Sequence, residues 1–408
     1  MSRMSEMGLE EAMRYFAEYG KNEDGSISRV FGSEAYLEAA EEMQKYMQEC
    51  GMQSFIDPVN NVHGIWPGQD PAAGEVMILS HLDTVKEGGI FDGLLGVIAG
   101  IECVKRLQRE GRLLPFGIHV VATNGEEGNE LGGTFGSRCL AGAVSFTPEF
   151  LAKAEKYGFT EEKLRAAKMD FSPVRCSLEL HIEQGRTLFE AGEDIGIVTG
   201  IVGLQRYEVS IEGRTNHAGT TMMEFRRDAL VKMSEIICFA DTLAREMGQD
   251  LVTTFSRVEI HPNALAVIND RVNMVLECRN RKEALMDEFV ERVRQRFETG
   301  AGESAGVSAG EGAGVKTMFS PMVRKAPVDC KPEITELSRA AAEELGFKYR
   351  VMPSGATHDG NMIAQMTPIG MIFVPSVEGL SHCKEEWTDF DQCEKGVEVL
   401  YRTLLGME

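Results

Sequence analysis

The residues able to bind metal or move protons gather in a few short stretches, and the densest is LSHLDTVKEGGIFDGLLG at 79–96. An apolar run ending in Ile78 and Leu79 leads into His81-Leu82-Asp83, and Asp92 follows in a glycine-rich loop. Residues two apart on a strand share a face, so His81 and Asp83 are expected to point the same way. A carboxylate beside a ligating histidine can hold the second ring N–H and fix the tautomer. Asp92 would add a second ligand from the loop. A surface loop with a lone histidine also produces His-x-Asp, so the motif needs company before it means a metal site.

Company is present. The apolar run 116–122 ends in Thr123-Asn124-Gly125-Glu126-Glu127-Gly128. Side chains of consecutive residues diverge, so one glutamate can bind metal while the other faces a water. SLELHIEQG at 177–185 alternates as a strand and ends in His181, Glu183 and Gln184. Further on come Asn216-His217-Ala218-Gly219-Thr220-Thr221, then His358-Asp359 in PSGATHDG, and His382-Cys383 in PSVEGLSHCKEEW. His63 and His119 have no acidic neighbour in sequence and are assigned no chemistry.

These groups need elements to place them. Helical spacing is expected over 8–19, 33–50 and 94–109, and strands over 53–57, 61–66, 75–80 and 116–122. Strands alternating with helices predict an α/β sheet, in which ligand-bearing groups collect at the carboxyl ends of strands. Residues 129–142 are expected to form a short helix, and 147–170 are read as a helical insertion over the sheet. From 205 the order becomes strand 205–212, helix 226–247, strands 251–260 and 271–279, helix 282–298 and a weaker strand near 314–320. That is βαββαβ, the ferredoxin-like order. The stretch 300–314, rich in Gly, Ala and Ser, reads as a flexible loop. After about 322 the first pattern returns, with a helix over 333–346, an apolar run over 371–374 and a helix over 388–405. The expected domains are therefore 1–204 with 322–408, and an inserted 205–321.

Composition narrows the function. The 408 residues carry 64 acidic against 42 basic side chains, a net charge of −22, which opposes nucleic acid and anionic membrane as partners. No stretch approaches the length of a membrane span and the amino terminus lacks an apolar signal core. A cytoplasmic protein is expected. Nine scattered cysteines without a C-x-x-C pair argue against a disulfide framework or a zinc ribbon.

The motifs SHLDTVKEGGIFDG, NGEEGNELGGTFGS, LHIEQG, NHAGTT with RRDA, PSGATHDG and VPSVEGLSH resemble, in order, those of the hydantoinase/carbamoylase family of dinuclear-metal amidohydrolases. LHIEQG and VPS-x-EG-x-SH separate that family from the related aminoacylases and metal exopeptidases. The resemblance implies an α/β fold: a mixed-sheet, metallopeptidase-like catalytic domain with an inserted ferredoxin-like satellite used as lid and dimerisation domain. It implies two divalent ions per subunit, Zn²⁺ or else Mn²⁺, Co²⁺ or Ni²⁺. His81, Asp92 and His181 would hold one, and Asp92, Glu127 and His382 the other, with Asp92 bridging. Glu126 would be the general base, Asp83 would orient His81, and His217 would stabilise the oxyanion. In the family that histidine comes from the satellite domain, often of a partner subunit, so a homodimer is implied.

The implied substrate is a small ureido or carbamoyl acid, an N-carbamoyl-L-amino acid or allantoate. Arg279 stands where relatives hold its carboxylate, and Gln184, Gln205, His217 and His358 are further expected contacts. Ala266 replaces a family asparagine, and Arg186, Met222, Thr357 and the turn Asn269-Asp270 also depart from the pattern. The sequence leaves two other readings open: a deacylase or dipeptidase on the same metals, and a catalytically silent binding protein.

Overall fold

The computed structural model describes residues 4–299 and 314–408; all of the expected flexible loop 300–314 but its last residue lies outside them. In chain order the strands are β1 (Gln53–Ile56), β2 (Val62–Trp66), β3 (Glu75–His81), β4 (Gly117–Thr123), β5 (Val174–Ile182), β6 (Ile195–Ile201), β7 (Gly203–Glu212), β8 (Val252–His261), β9 (Arg271–Asn280), β10 (Lys316–Lys325), β11 (Val328–Asp329), β12 (Tyr349–Ser354) and β13 (Ile369–Val374). Two compact units result, Met1–Ile201 with Asp329–Glu408, and Val202–Val328. The boundaries fall a few residues outside the expected 205 and 321, because β7 and β10 run as one long antiparallel pair from Leu204–Lys325 to Glu212–Lys316.

The first unit is built on a nine-stranded sheet in the order β1-β2-β4-β3-β5-β13-β6-β11, with β12 on β6. Its centre, β4-β3-β5-β13, is parallel, while β2 and β6 run antiparallel to it. Parallel central strands must be covered on both faces, and β3 and β4 are buried almost throughout. Helix Leu94–Arg109 packs on β3, β4 and β5 and is itself buried on nearly every side. Fully burying a Val, Leu or Ile contributes about 1.5–3 kcal/mol, so this helix anchors the sheet. Helix Glu34–Glu49 is started by Ser33, whose side chain accepts from Tyr36 N–H, and buries Tyr36, Ala39, Ala40, Met43 and Met47 on one face. The expected insertion over 147–170 is two short helices, Pro148–Glu155 and Glu161–Ala166. They close over a small core of their own with Phe31, Phe135 and Phe159.

Strands β6 and β12 were not expected. β6 (IGIVTGI) is interrupted by glycines and β12 carries Pro353, features that weaken the strand signal. β12 pairs only with β6, which suits a strand containing proline. The second unit has the order βαββαβ, with helices Ala229–Met247 and Glu283–Phe297. Its strands lie β10-β7-β9-β8, all antiparallel, over a core that includes Val209, Val272, Leu276, Met286 and Phe289. The strand expected to be weak near 314–320 is ten residues long, held by its full pairing with β7.

Candidate metal centre

Four adjacent parallel strands open their carboxyl ends on one edge of the large sheet. His81 ends β3, Asn124–Glu127 follow β4, His181 lies one residue before the end of β5, and the stretch 375–382 follows β13. Asp92 reaches the same place from the loop after β3. Gly93 makes that approach possible: its φ is +71°, and a Cβ there would lie 2.4 Å from His81 Nδ1.

Asp92 is buried at the middle of the cluster. Its Oδ1 is 3.4 Å from His81 Nε2 and 3.1 Å from His181 Nε2, and its Oδ2 is 3.2 Å from His382 Nε2. His382 Nε2 is also 3.3 Å from Glu127 Oε1. His81, Asp92 and His181 can therefore converge on one ion, and Asp92, Glu127 and His382 on another. The buried Asp92 Oδ1 and His181 Nε2 have no hydrogen-bond partner, although buried polar atoms ordinarily find one. Two divalent ions fit this donor set, since imidazole and carboxylate suit the borderline metals.

The imidazoles are set for the task by backbone. His81 Nδ1 is 2.9 Å from the Asp83 carbonyl and His181 Nδ1 is 2.9 Å from the Ile182 carbonyl. A carbonyl only accepts, so each Nδ1 carries a proton and Nε2 is the ring atom turned to the centre. Burial opposes a second proton on either ring, but the Asp92 carboxylate outweighs it and holds both above the ordinary imidazole pKa. Asp92, against its own burial, is held well below the carboxylate range by His181, His382 and His81. Burial, with the charges of Asp92 and Glu126, pushes Glu127 up to about 10. A cation at the centre would relieve this repulsion.

Asp83 differs from its expected role. Its carboxylate stands 3.9 Å from His81 Nδ1, and its backbone carbonyl makes the bond that orients the ring. The carboxylate instead accepts from Gly125 N–H (2.8 Å), Glu126 N–H (3.1 Å) and Glu127 N–H (3.2 Å). His81 and Asp83 part company because β3 ends at His81, so strand alternation no longer applies beyond it. Asp83 thus organises the turn that carries both glutamates. Glu126 is half-buried, with a carboxylate oxygen within 4.8 Å of the His81 and Glu127 donor atoms.

The other sequence candidates divide. Gln184 Nε2 donates to Asp92 Oδ2 at 3.0 Å and lies 3.3 Å from both Ser381 Oγ and His382 Nε2. Glu183 caps the following helical turn, accepting from Thr187 and Leu188 N–H. His358 is buried, its ring 4.6 Å from that of His181 and its Nε2 2.9 Å from Ser354 Oγ. Asp359 accepts hydroxyls from Thr123 and Ser137. His358, expected as a substrate contact, thus packs against the ring of His181 and bonds Ser354.

In the second unit, Gln205 is 1% exposed, donating to Asp287 Oδ1 at 2.8 Å and accepting from Tyr207 OH at 3.3 Å. Expected as a substrate contact, it is bonded within the second unit. Arg279 Nε donates to Glu277 Oε1 at 2.7 Å, and Glu277 also takes Arg206. Exposed His217 accepts at Nδ1 from Gly219 N–H (3.0 Å) and Thr220 N–H (3.2 Å). Its proton therefore sits on Nε2, the opposite tautomer to His81 and His181.

Sequence reasoning missed two residues. Arg29 is fully buried and donates to the carbonyls of Leu82, Phe16 and Tyr19, steadying the exit from β3; burial lowers it to about 10. Glu386 is buried beside Asp92 while its neighbour Glu385 is exposed. Nothing in Glu385-Glu386 as a sequence separates the two.

Residues 77–406 match peptidase family M20/M25/M40, and the chain belongs to that family. It is 36% identical over 408 residues to the N-carbamoyl-L-amino acid amidohydrolase of Geobacillus stearothermophilus, covering 97% of each chain. It is 30% identical to the allantoate amidohydrolase of Escherichia coli (strain K12), over 96% of this chain and 95% of that one. The fold matches an amidase of the hydantoinase/carbamoylase family from Burkholderia multivorans with a TM-score of 0.85 at 28% identity, over 98% and 96% of the two chains.

Proposed function

We propose that this protein is a metal-dependent amidohydrolase that cleaves the C–N bond of a ureido or carbamoyl group in a small acid, an N-carbamoyl-L-amino acid or allantoate. The products are ammonia, carbon dioxide and the amino compound. The observation that carries the reading is one buried carboxylate, Asp92, whose two oxygens face separate sets of ligands, with Glu126 beside them. The relatives named above act on such groups, which supports the same class.

In this reading His81, Asp92 and His181 would hold one divalent ion, and Asp92, Glu127 and His382 the other. When bound, the pair polarises the scissile carbonyl and lowers the pKa of the attacking water. Glu126 takes that water's proton and passes it to the leaving nitrogen. Asp83 keeps Glu126 in place through the turn it organises. His217 supplies the Nε2 proton as a hydrogen bond to the developing oxyanion, a role that needs the tautomer its backbone contacts impose. Arg279 takes the substrate carboxylate, and Gln184 is retained as a contact next to Asp92. The homodimer, the cytoplasmic setting and the choice of Zn²⁺ or Mn²⁺ belong to the same reading; light scattering of purified protein checks the first.

The test is ammonia release by Mn²⁺- or Zn²⁺-reconstituted protein from allantoate, several N-carbamoyl-L-amino acids and 3-ureidopropionate, with N-acetyl amino acids alongside. Turnover of a ureido acid is the expected result. Turnover of the acetylated set alone would establish a deacylase instead, and no turnover by metal-loaded protein would return the binding-protein reading.

A further inference from the structure

We infer that Glu386 is a positioning residue that ties together the two loops presenting Asp92 and His382 to the metal centre, an inference that rests on the metal-centre reading above. Its Oε1 accepts from the backbone N–H groups of Phe91 and Asp92, both at 3.1 Å. Its Oε2 accepts from Ser381 Oγ at 2.9 Å, the residue before His382. One buried carboxylate thus grips the backbone that bears the bridging ligand and the neighbour of a second ligand.

Each loop needs such a grip. Asp92 follows Gly88 and Gly89 on an irregular segment, where the backbone has more freedom than on a strand. Gly89 is shaped for Glu386, since a Cβ there would lie 2.5 Å from Glu386 Cβ and Oε1. His382 sits at φ +58°, a left-handed conformation that a non-glycine residue keeps only when its surroundings enforce it. The loop is closed on Glu386's side by Val377 N–H to the Trp387 carbonyl (2.8 Å) and Thr388 Oγ1 to the Pro375 carbonyl (3.0 Å). Ligands held by flexible loops lose metal affinity when their supporting hydrogen bonds go.

The grip is made by acceptor atoms, and this sets the test. In Glu386→Gln the amide oxygen can accept from both backbone N–H groups and the amide nitrogen can donate to Ser381. In Glu386→Leu a side chain of similar size leaves them without an acceptor. Affinity for Mn²⁺ alone is measured by calorimetry on the full chain, with the melting of the metal-free protein as a control. Glu386→Leu is expected to weaken Mn²⁺ binding about 10–100-fold and Glu386→Gln to restore it to within about threefold of wild type. A folded Leu variant that binds as wild type does, or a Gln variant as weak as Leu, overturns the inference. Should Glu386→Leu not fold, Ser381→Ala removes one arm of the grip, and unchanged affinity there overturns it as well. The readout is independent of substrate: a wild type that binds Mn²⁺ but hydrolyses no ureido acid refutes the proposed reaction and leaves Glu386 testable, whereas a wild type that binds no Mn²⁺ refutes the centre itself.

Discussion

Glu126 and Glu127 are adjacent in the chain and differ in surroundings: Glu127 is buried 3.3 Å from His382 Nε2, while Glu126 is half-buried. In the proposed mechanism that difference suits Glu127 to metal binding and Glu126 to proton transfer. Glu126→Gln should keep the wild-type metal content while kcat falls by about 10²–10⁴-fold; unchanged turnover with full metal content would remove it as the base. Arg279 has one guanidinium nitrogen on Glu277 and others left to grip an acid. Arg279→Ala should raise KM for the ureido acid with little change in kcat, and an unaltered KM would mean that the carboxylate is held elsewhere. Both expectations start from residue types visible in the chain. The opposite tautomers of His81 and His217 were not visible, because each is set by backbone groups that only the folded chain brings to the ring.

At the scale of elements, the parallel strands β3, β4, β5 and β13 explain why candidate ligands separated by hundreds of residues meet on one edge. Their apolar runs made β3 and β4 legible in the sequence, and the alternation at 177–185 revealed the end of β5. β6 and β12 were hidden by glycine and proline, and their place came from pairing with neighbours. His63 and His119, read as chemically silent, form a buried chain: His119 Nδ1 is 2.8 Å from Glu75 Oε1, His63 Nδ1 is 3.0 Å from His119 Nε2, and His63 Nε2 is 3.6 Å from Asp57 Oδ2. Burial lowers the His63 pKa below its ordinary 6.5, aided by His119 and opposed by Asp57 and Glu75. The unfolded chain then binds more protons than the folded one just below 6.5, so stability is lost as pH falls from 6.5 toward the lowered value. Denaturation midpoints measured across that window should drop less steeply in His63→Gln than in wild type. Parallel slopes would show that His63 does not contribute.

At the scale of the whole molecule, the sheet edge concentrates Asp92, Glu126 and Glu127 close together, with burial adding to their repulsion. Removing metal by chelation should therefore abolish activity and lower the melting temperature, and readdition of Mn²⁺ or Zn²⁺ should restore both. Saturation at 100 times Kd corresponds to about 2.7 kcal/mol of added stability. A chelated protein that melts at the wild-type temperature would mean that the ions do not occupy this site. The chain order of motifs also showed that the first unit is interrupted by the second, because βαββαβ periodicity changes near 205 and the earlier pattern resumes after 322.

Resemblance to the family selected five ligands and a base, whereas the sequence's own patterns determined the stock of histidines and carboxylates near strand ends, the α/β class and an inserted βαββαβ unit. Those depend on residue type and on periods of two or 3.6 residues, which are local properties of the chain. Only tertiary structure decided the rest. It set the Asp83 carboxylate on the 125–127 turn, bonded Gln205 to Asp287 and His358 to Ser354, and buried Glu386 rather than Glu385 against the Asp92 loop. Hydrogen bonds between segments far apart in the chain set these roles, and no local pattern records which partner a side chain will meet.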